Sequence, residues 1–540
     1  MGFSGPSAQG GARLRIALLW AILALAAASV FALAAIPGIA PGSDLWDYSQ
    51  EARQIARGQG FTSLYTYPVF LGHEGSPFPV LWRMPLYAVL GALLLKLGVP
   101  LPAGFLYLGA VAHALLVALT YWWGAKVHSS RAGSWAAACA LACPLLLDFY
   151  NPGMSQVPAA LLELAVWILL LGSGGIPAAG AAALAAAGAW YLRGESLLFL
   201  PVWLWIAARS EPTARSEPSA RPEPSAGAPR WARAFAFAAV YAALCVPWLA
   251  AIQGARGGFA IQGNPMLLYT PQYPGYSSSR MLGAHLPGVL EYVLHYPGSF
   301  AFRYIKDIAG YVLDLSAGLG PVGLGAALAG LALGRHAKAF QPRRHLAPLL
   351  VAIAWQISAM SALERSPRFL VPVLPLVWVL LGIAVVPVLG RVARGRGLAV
   401  LFAAVLLERG AHVVYQRGDA HRRFPPVGPG TQAALTVRAR EWPQGGLVLS
   451  DAPDWVSWHL DRPALFLPLL KQLDSLRTAR PVVAIWLSPA ARWRNVADAD
   501  SAWVRVMDRN EAPEGFSGPA VLRDGSRVYM RAVPAGKPIP

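Results

Sequence analysis

The chain has 540 residues, of which 56% are hydrophobic and only 13% charged, with a mean hydropathy of +0.45. Soluble domains carry roughly a quarter charged residues, so the composition argues against a soluble enzyme and equally against a chain disordered as a whole. The net charge of +18 fits basic loops held on the cytoplasmic side of a membrane rather than a nucleic-acid partner.

Arg13 and Arg15 precede an apolar run over 16–36. The run is too long for a cleaved signal peptide and predicts a retained helix with a cytoplasmic N-terminus. The polar stretch 37–82 then lies outside. The run 84–98 is short, bounded by Pro85 and Pro100 and interrupted by Lys96. It predicts an interfacial or re-entrant helix. The run 101–123 predicts the span that returns inside, where Lys126, His128 and Arg131 follow. Runs near 132–147, 156–172, 177–192, 195–208, 234–252, 308–333, 346–363, 369–389 and 397–415 alternate sides. Basic clusters over 209–233, 335–344 and 391–396 fall where the alternation demands the cytoplasm. About eleven spans result.

Within 209–230, RSEPTA, RSEPSA and RPEPSA are near-copies of one unit and predict a disordered cytoplasmic linker. The outer loop 253–307 is rich in Gly, Pro and Tyr, and 286–306 suits amphipathic interfacial helices. From 418 to 540 the composition turns soluble. GGLVLSD, RPVVAIWLS and SRVYMRAV read as strands of a small extracytoplasmic α/β domain. The expected fold class is a polytopic α-helical membrane protein over 1–417, with that α/β domain over 418–540. Cys139, Cys143 and Cys245 lack metal-ligand spacing and read as core residues.

The first outer loop begins PGSDLWDYSQEARQIARGQGF. Asp44 and Asp47 suit a helix start, with Asp44 as N-cap and Asp47 in the first turn. They also suit catalysis, because Asp148, in LLLDFYN, falls at the outer end of its span on the same side. Carboxylates at that interface can act as a general base or position a metal. Basic side chains are scarcer there. Arg83 opens RMPLY, Arg193 and Glu195 sit in YLRGES, and Arg365 and Arg368 sit in ERSPRF. Each arginine can snorkel to headgroups, and Arg193 can pair with Glu195. An anionic ligand at the outer leaflet, most simply a lipid phosphate, would also account for them. No cofactor is required, and a divalent metal between carboxylates and phosphate stays open. His73 and Glu74 read as polar surface.

These residues resemble the pattern of membrane glycosyltransferases of the GT-C type, with closest likeness to the protein O-mannosyltransferase and lipid A aminoarabinose transferase superfamily and its bacterial members. Asp44, Tyr48 and Ala52 follow the order of its first outer loop. The aminoarabinose branch reads D-E-x-R-Y there, which puts Asp44 on the catalytic aspartate and Asp47 on a non-catalytic position. Arg83-Met84-Pro85-Leu86, then Tyr87, stands where that branch has K-P-P-L, so Arg83 takes the place of the lysine that holds the donor phosphate. WYLRGESLLFLP, SPRFLVPVLP and SDAPDWVSWHLDRPALFLP resemble further segments. There are departures. Gln156 stands where many members carry an acidic residue. Ala251 and Ile252 stand where many carry an R-N pair, with Arg256 nearby.

The resemblance implies an inverting transfer of a sugar from a polyprenyl-phosphate donor to a glycan, lipid or protein acceptor, at the outer face of the cytoplasmic membrane. Asp44 and Asp148 would be catalytic. Arg83, Arg193 and Arg368 would bind the donor phosphate, with Asp47, Tyr48, Tyr87 and Glu195 in support. Membrane lipids are the other expected partner; nucleic acid is not. A lipid or solute transporter is the main rival. It would predict internal repeats and polar residues at mid-membrane, whereas the spans show no repeat and the acids sit at span ends. A pyrophosphate-using polymerase or ligase and a non-catalytic scaffold are further alternatives.

Overall fold

The computed structural model describes residues 6–35, 39, 43–71, 76–141, 143, 145–146, 154–172, 175–209, 230–256, 280–282, 293–334, 343–363, 365–392, single positions between 403 and 411, 425–443, 445–492 and 501–532. Asp148, His73, Glu74, the repeats of the linker and most of the 253–307 loop before residue 293 lie outside these residues. The described helices are α1 (Pro6–Ala35), α2 (Asp44–Ala56), α3 (Pro85–Lys96), α4 (Ala103–Val127), α5 (Ser130–Leu141), α6 (Gln156–Gly172), α7 (Ile176–Leu192), α8 (Leu200–Arg209), α9 (Arg230–Arg256), α10 (Pro297–Gly334), α11 (Arg343–Leu363), α12 (Leu374–Val392), α13 (Pro429–Ala439), α14 (Pro453–Leu460), α15 (Leu473–Ala479) and α16 (Ser501–Arg509). The strands are β1 (Thr62–Ser63), β2 (Tyr65–Thr66), β3 (Phe78–Pro79), β4 (Leu447–Ser450), β5 (Ala464–Phe466), β6 (Val482–Leu487), β7 (Phe516–Val521) and β8 (Arg527–Arg531). They belong to two compact units, one of segments 1–33, 106–262 and 296–414, the other of segments 34–105, 263–295 and 415–540.

The first unit is helical. α5 packs on α12, α6 on α7, α7 on α9, and α10 on α12. Its helices are rich in alanine, and small side chains let backbones come close. A Cβ at Gly133 of α5 would lie 2.4 Å from the Tyr121 carbonyl oxygen, and one at Gly382 of α12 would lie 2.5 Å from the Ala132 carbonyl oxygen. α10 breaks at Gly320, whose φ of 69° suits a residue without Cβ. All three cysteines are buried. Helices form over each expected run from 16 to 389. By length and composition two described helices, Ala103–Val127 and Trp231–Ala251, are long and apolar enough to cross a membrane, and five shorter apolar ones accompany them.

The second unit is built on a six-stranded sheet of order β2-β5-β4-β6-β8-β7. The first four run parallel, and β8 and β7 complete it antiparallel. The three strands expected near the C-terminus form as β4, β6 and β8. The edge strand β2 comes instead from the first loop: Tyr65 and Thr66 pair with Ala464 and Leu465. Both sheet faces are covered. Val448, Ala464, Trp486 and Val528 face one core with Trp46, Trp82 and Trp455. Leu449, Leu465, Ile485 and Tyr529 face the other. Burial on both sides explains why β4 and β6 read as unbroken apolar runs rather than alternating ones.

Candidate functional site

Ser43 starts α2. Its backbone is extended and its Oγ accepts a hydrogen bond from the Leu45 N–H at 3.4 Å. Ser43 is therefore the N-cap, correcting the expectation for Asp44, which is the first helical residue. Carboxylates in a first turn face the positive end of the helix. Asp44, Asp47 and Glu51 follow at i, i+3 and i+7, which puts three carboxyl groups on one face.

Arg83, in the turn before α3, reaches back across 39 residues of sequence. Its Nη2 donates to Asp44 Oδ1 at 2.6 Å and its Nε to Asp47 Oδ2 at 2.6 Å. Trp82 Nε1 donates to the other Asp47 oxygen at 3.4 Å. The guanidinium lies 5.0 Å from the centre of the Tyr48 ring. Tyr48 meets Tyr87 edge-on at 4.8 Å, and Tyr87 stacks on Phe105 at 4.6 Å. Five residues singled out in the sequence thus converge: Asp44, Asp47, Tyr48, Arg83 and Tyr87.

Accessibility falls along the acidic face. The side chains of Asp44 and Arg83 are 18% exposed and that of Asp47 4%; Glu51 is 0% exposed. Asp44 thus keeps partial exposure and Glu51 none, although of the two Asp44 oxygens Oδ1 is held by Arg83 and Oδ2 is buried. Burial alone would lower the affinity of Arg83 for its proton, but the Asp44 and Asp47 carboxylates more than offset it and hold the guanidinium charged. Nη1 of Arg83 makes no hydrogen bond among the described residues and keeps its donors for another oxygen. Burial, with Asp47 adding to it, pushes the Glu51 carboxyl well above the usual range. Half-buried Tyr67 packs edge-on against Trp82 at 5.2 Å. Its phenol is raised by burial and by Asp47. Glu51, Trp82 and Tyr67 were not singled out in the sequence. For Glu51 the signal was present, since it stands four residues after Asp47.

The far end of α2 is anchored separately. Arg53 donates to the carbonyls of Ser457 (2.6 Å) and Trp458 (2.8 Å) at the end of α14, and both Arg53 and Arg57 pair with Asp461. Arginine is suited to the unpaired carbonyls of a helix C-terminus. Burial pushes Arg53 down to about 10, opposed by Asp461.

No group of three or more His, Cys, Asp or Glu side chains among the described residues could hold a metal. Between Asp44 and Asp47 the positive charge is supplied by a guanidinium. These residues do not fit a metal centre.

The remaining sequence candidates lie in the helical unit. Arg193 closes α7 and pairs with Glu195. Its Cζ is 6.0 Å from the Phe369 ring, and that of Arg368 is 5.0 Å from the same ring. The structure thus brings Arg193 and Arg368 to one aromatic side chain. Among the described residues Arg368 has no carboxylate partner. Arg365 is engaged by Asp314 at 2.9 Å. Gln156 opens α6 and is buried, its amide unpartnered among the described residues. Seven residues on, buried Glu163 accepts from Ser196 Oγ at 2.5 Å.

No family model and no curated protein matches the sequence. The fold, however, matches solved structures. The crystal structure of ArnT from Cupriavidus metallidurans bound to undecaprenyl phosphate aligns with a TM-score of 0.53 at 12% identity, over 96% of this chain and 99% of that one. The archaeal oligosaccharyltransferase AglB from Archaeoglobus fulgidus, in complex with an inhibitory peptide and a dolichol-phosphate, aligns with a TM-score of 0.53 at 12% identity, over 96% and 75%. An oligosaccharyltransferase of the same organism in complex with zinc and sulfate gives 0.54 at 12%, over 95% and 74%. The chain has the mostly helical GT-C fold that the sequence resemblance implied.

Proposed function

We propose that this protein is an inverting membrane glycosyltransferase that moves a sugar from a polyprenyl-phosphate donor to an acceptor hydroxyl at the outer face of the membrane. The observation that carries the reading is the pairing of a partly exposed carboxylate, Asp44, with an arginine that keeps a further N–H group for an anion. It stands in a fold shared with ArnT bound to undecaprenyl phosphate.

In the proposed reaction Asp44 takes the proton of the acceptor hydroxyl as that oxygen attacks the anomeric carbon. The bond from that carbon to the phosphate oxygen breaks, and its electron pair leaves on the lipid phosphate. Arg83 stabilises the departing charge through charge-assisted hydrogen bonds. The products are the glycosylated acceptor, with inverted configuration, and the free polyprenyl phosphate. The ion pair couples the two roles. A phosphate that draws Arg83 away from Asp44 removes the cation that weakens this carboxylate as a base, so donor binding primes proton abstraction. Asp47 keeps hold of Arg83 Nε meanwhile. Arg193 and Arg368 are kept as proposed anion-binding residues of the helical unit, and Asp148 as a proposed second carboxylate. The spans, about eleven in this proposal, would hold the prenyl chain.

Purified protein incubated with a labelled polyprenyl-phosphate sugar and acceptor should release free lipid phosphate. Asp44→Asn should abolish the release while protein abundance in the membrane stays unchanged. Full activity in that variant would remove Asp44 as the base. Movement of intact donor across vesicles without cleavage would favour a transporter.

A further inference from the structure

Three carboxyl groups lie on one face of α2, and a single guanidinium bonds two of them. Asp44 and Asp47 occupy Nη2 and Nε of Arg83. Glu51 lies one turn beyond Asp47 and is wholly buried. No hydrogen-bond partner among the described residues reaches either of its oxygens; the carboxyl group one turn back on the same helix face is that of Asp47, whose charge adds to burial in pushing the Glu51 carboxyl upward. Two ionised carboxylates are acceptors only and cannot bond to each other without a proton between them. A buried carboxylate with no donor is also among the most costly groups a fold can hold.

We propose that Glu51 is a positioning residue: it stays protonated at neutral pH, donates its hydrogen bond to Asp47, and so holds Asp47 against Arg83 in the orientation that serves Asp44 and the donor phosphate. The groups around it agree with this assignment. Burial disfavours its charged form, and Asp47 and Asp44 add to that while Arg83 opposes it. Burial, with Asp47, Asp454 and Glu51 among its electrostatic neighbours, raises the Tyr65 phenol of β2 and keeps it uncharged. The proton leaves the cluster of three carboxyls and one guanidinium with a single net negative charge rather than two. The catalytic consequence rests on the transfer reaction proposed above, but the proton assignment does not.

The test uses the full-length protein in detergent, with Glu51→Gln and Glu51→Ala beside the wild type. Infrared difference spectra at pH 7 should show the C=O stretch of a protonated carboxyl group in the wild type, absent from both variants. In transfer assays Glu51→Ala should lower kcat about 100-fold, the cost of misplaced catalytic groups. Glu51→Gln, which keeps a donor toward Asp47, should recover kcat to within about fivefold, the effect of one weakened hydrogen bond. It should also lose the alkaline decline that the wild type shows as Glu51 gives up its proton. Absence of the carboxyl band from the wild type would overturn the proposal. So would a Glu51→Gln variant as impaired as Glu51→Ala with the alkaline decline intact. A protein that shows the band but transfers no sugar would instead count against the proposed reaction alone.

Discussion

At the scale of single residues, the site is organised by one arginine that two aspartates need. Its two bonds leave from different nitrogens, Nε and Nη2, of one planar fork. A lysine offers a point charge without that fork. Arg83→Lys should therefore keep the net charge but lose the simultaneous hold on Asp44 and Asp47, with weaker donor binding. Arg83→Ala should weaken donor binding further and destabilise the protein by about 2 kcal/mol. That is less than a fully buried pair would lose, because Asp44 and Arg83 keep some solvent. Donor titration with thermal unfolding of both variants measures this, and unchanged donor affinity in Arg83→Ala would remove Arg83 from the phosphate site. Glu51 adds a proton-linked effect with a definite sign. Its carboxyl is raised in the fold, so the folded state binds more protons than the unfolded one between the two pKa values. The stability tied to that proton is complete below the ordinary carboxylate range and is lost as pH rises toward the folded value. Glu51→Gln should flatten this dependence. The sequence pointed to Asp44 and Arg83 through short motifs. It did not reveal Glu51 as part of the site, because a glutamate in an amphipathic helix reads as solvated until the burial of its face is known.

At the scale of elements, α2 is positioned twice, by Arg83 at its start and by Arg53 and Arg57 at its end. The second anchor joins α2 to the last carbonyls of α14 across 405 residues of sequence. Half-buried His459, between Trp455 and Trp46, is pushed down to about 4 by burial, with Arg53 adding. It is therefore neutral where the site would work. In the helical unit the critical feature is the closeness of backbones. Gly133 leaves no room for a methyl group against the turn of α4 that carries Tyr121. Gly133→Ala should destabilise the protein by about 1–3 kcal/mol, the usual cost of overpacking, read as a lower unfolding midpoint in detergent. A variant as stable as the wild type would mean that α5 can shift away freely. Helix periods and breakers were legible, since α3 begins at Pro85 and α7 ends at Leu192, close to the expected bounds. The glycine contacts were not, because they depend on which helices become neighbours.

At the scale of the whole molecule, the proposed reaction requires the α2 segment to face the outside. Single cysteines placed at exposed Gly58 and Gly60, just past α2, should react with an impermeant maleimide in intact cells. Labelling only after lysis would place the acidic face in the cytoplasm and remove the access to an outer-leaflet donor on which the mechanism depends. The sequence by itself determined the apolar composition, the sites of the helices and the late strands, because hydropathy and the periods of helix and strand are properties of neighbouring residues. Only the tertiary structure decided that β2 of the first loop joins a sheet made mainly by the last part of the chain, that a serine caps α2, and that one guanidinium bridges two aspartates above a buried glutamate. Those outcomes depend on burial and on partners distant in the chain, and neither quantity is written in any local stretch of residues.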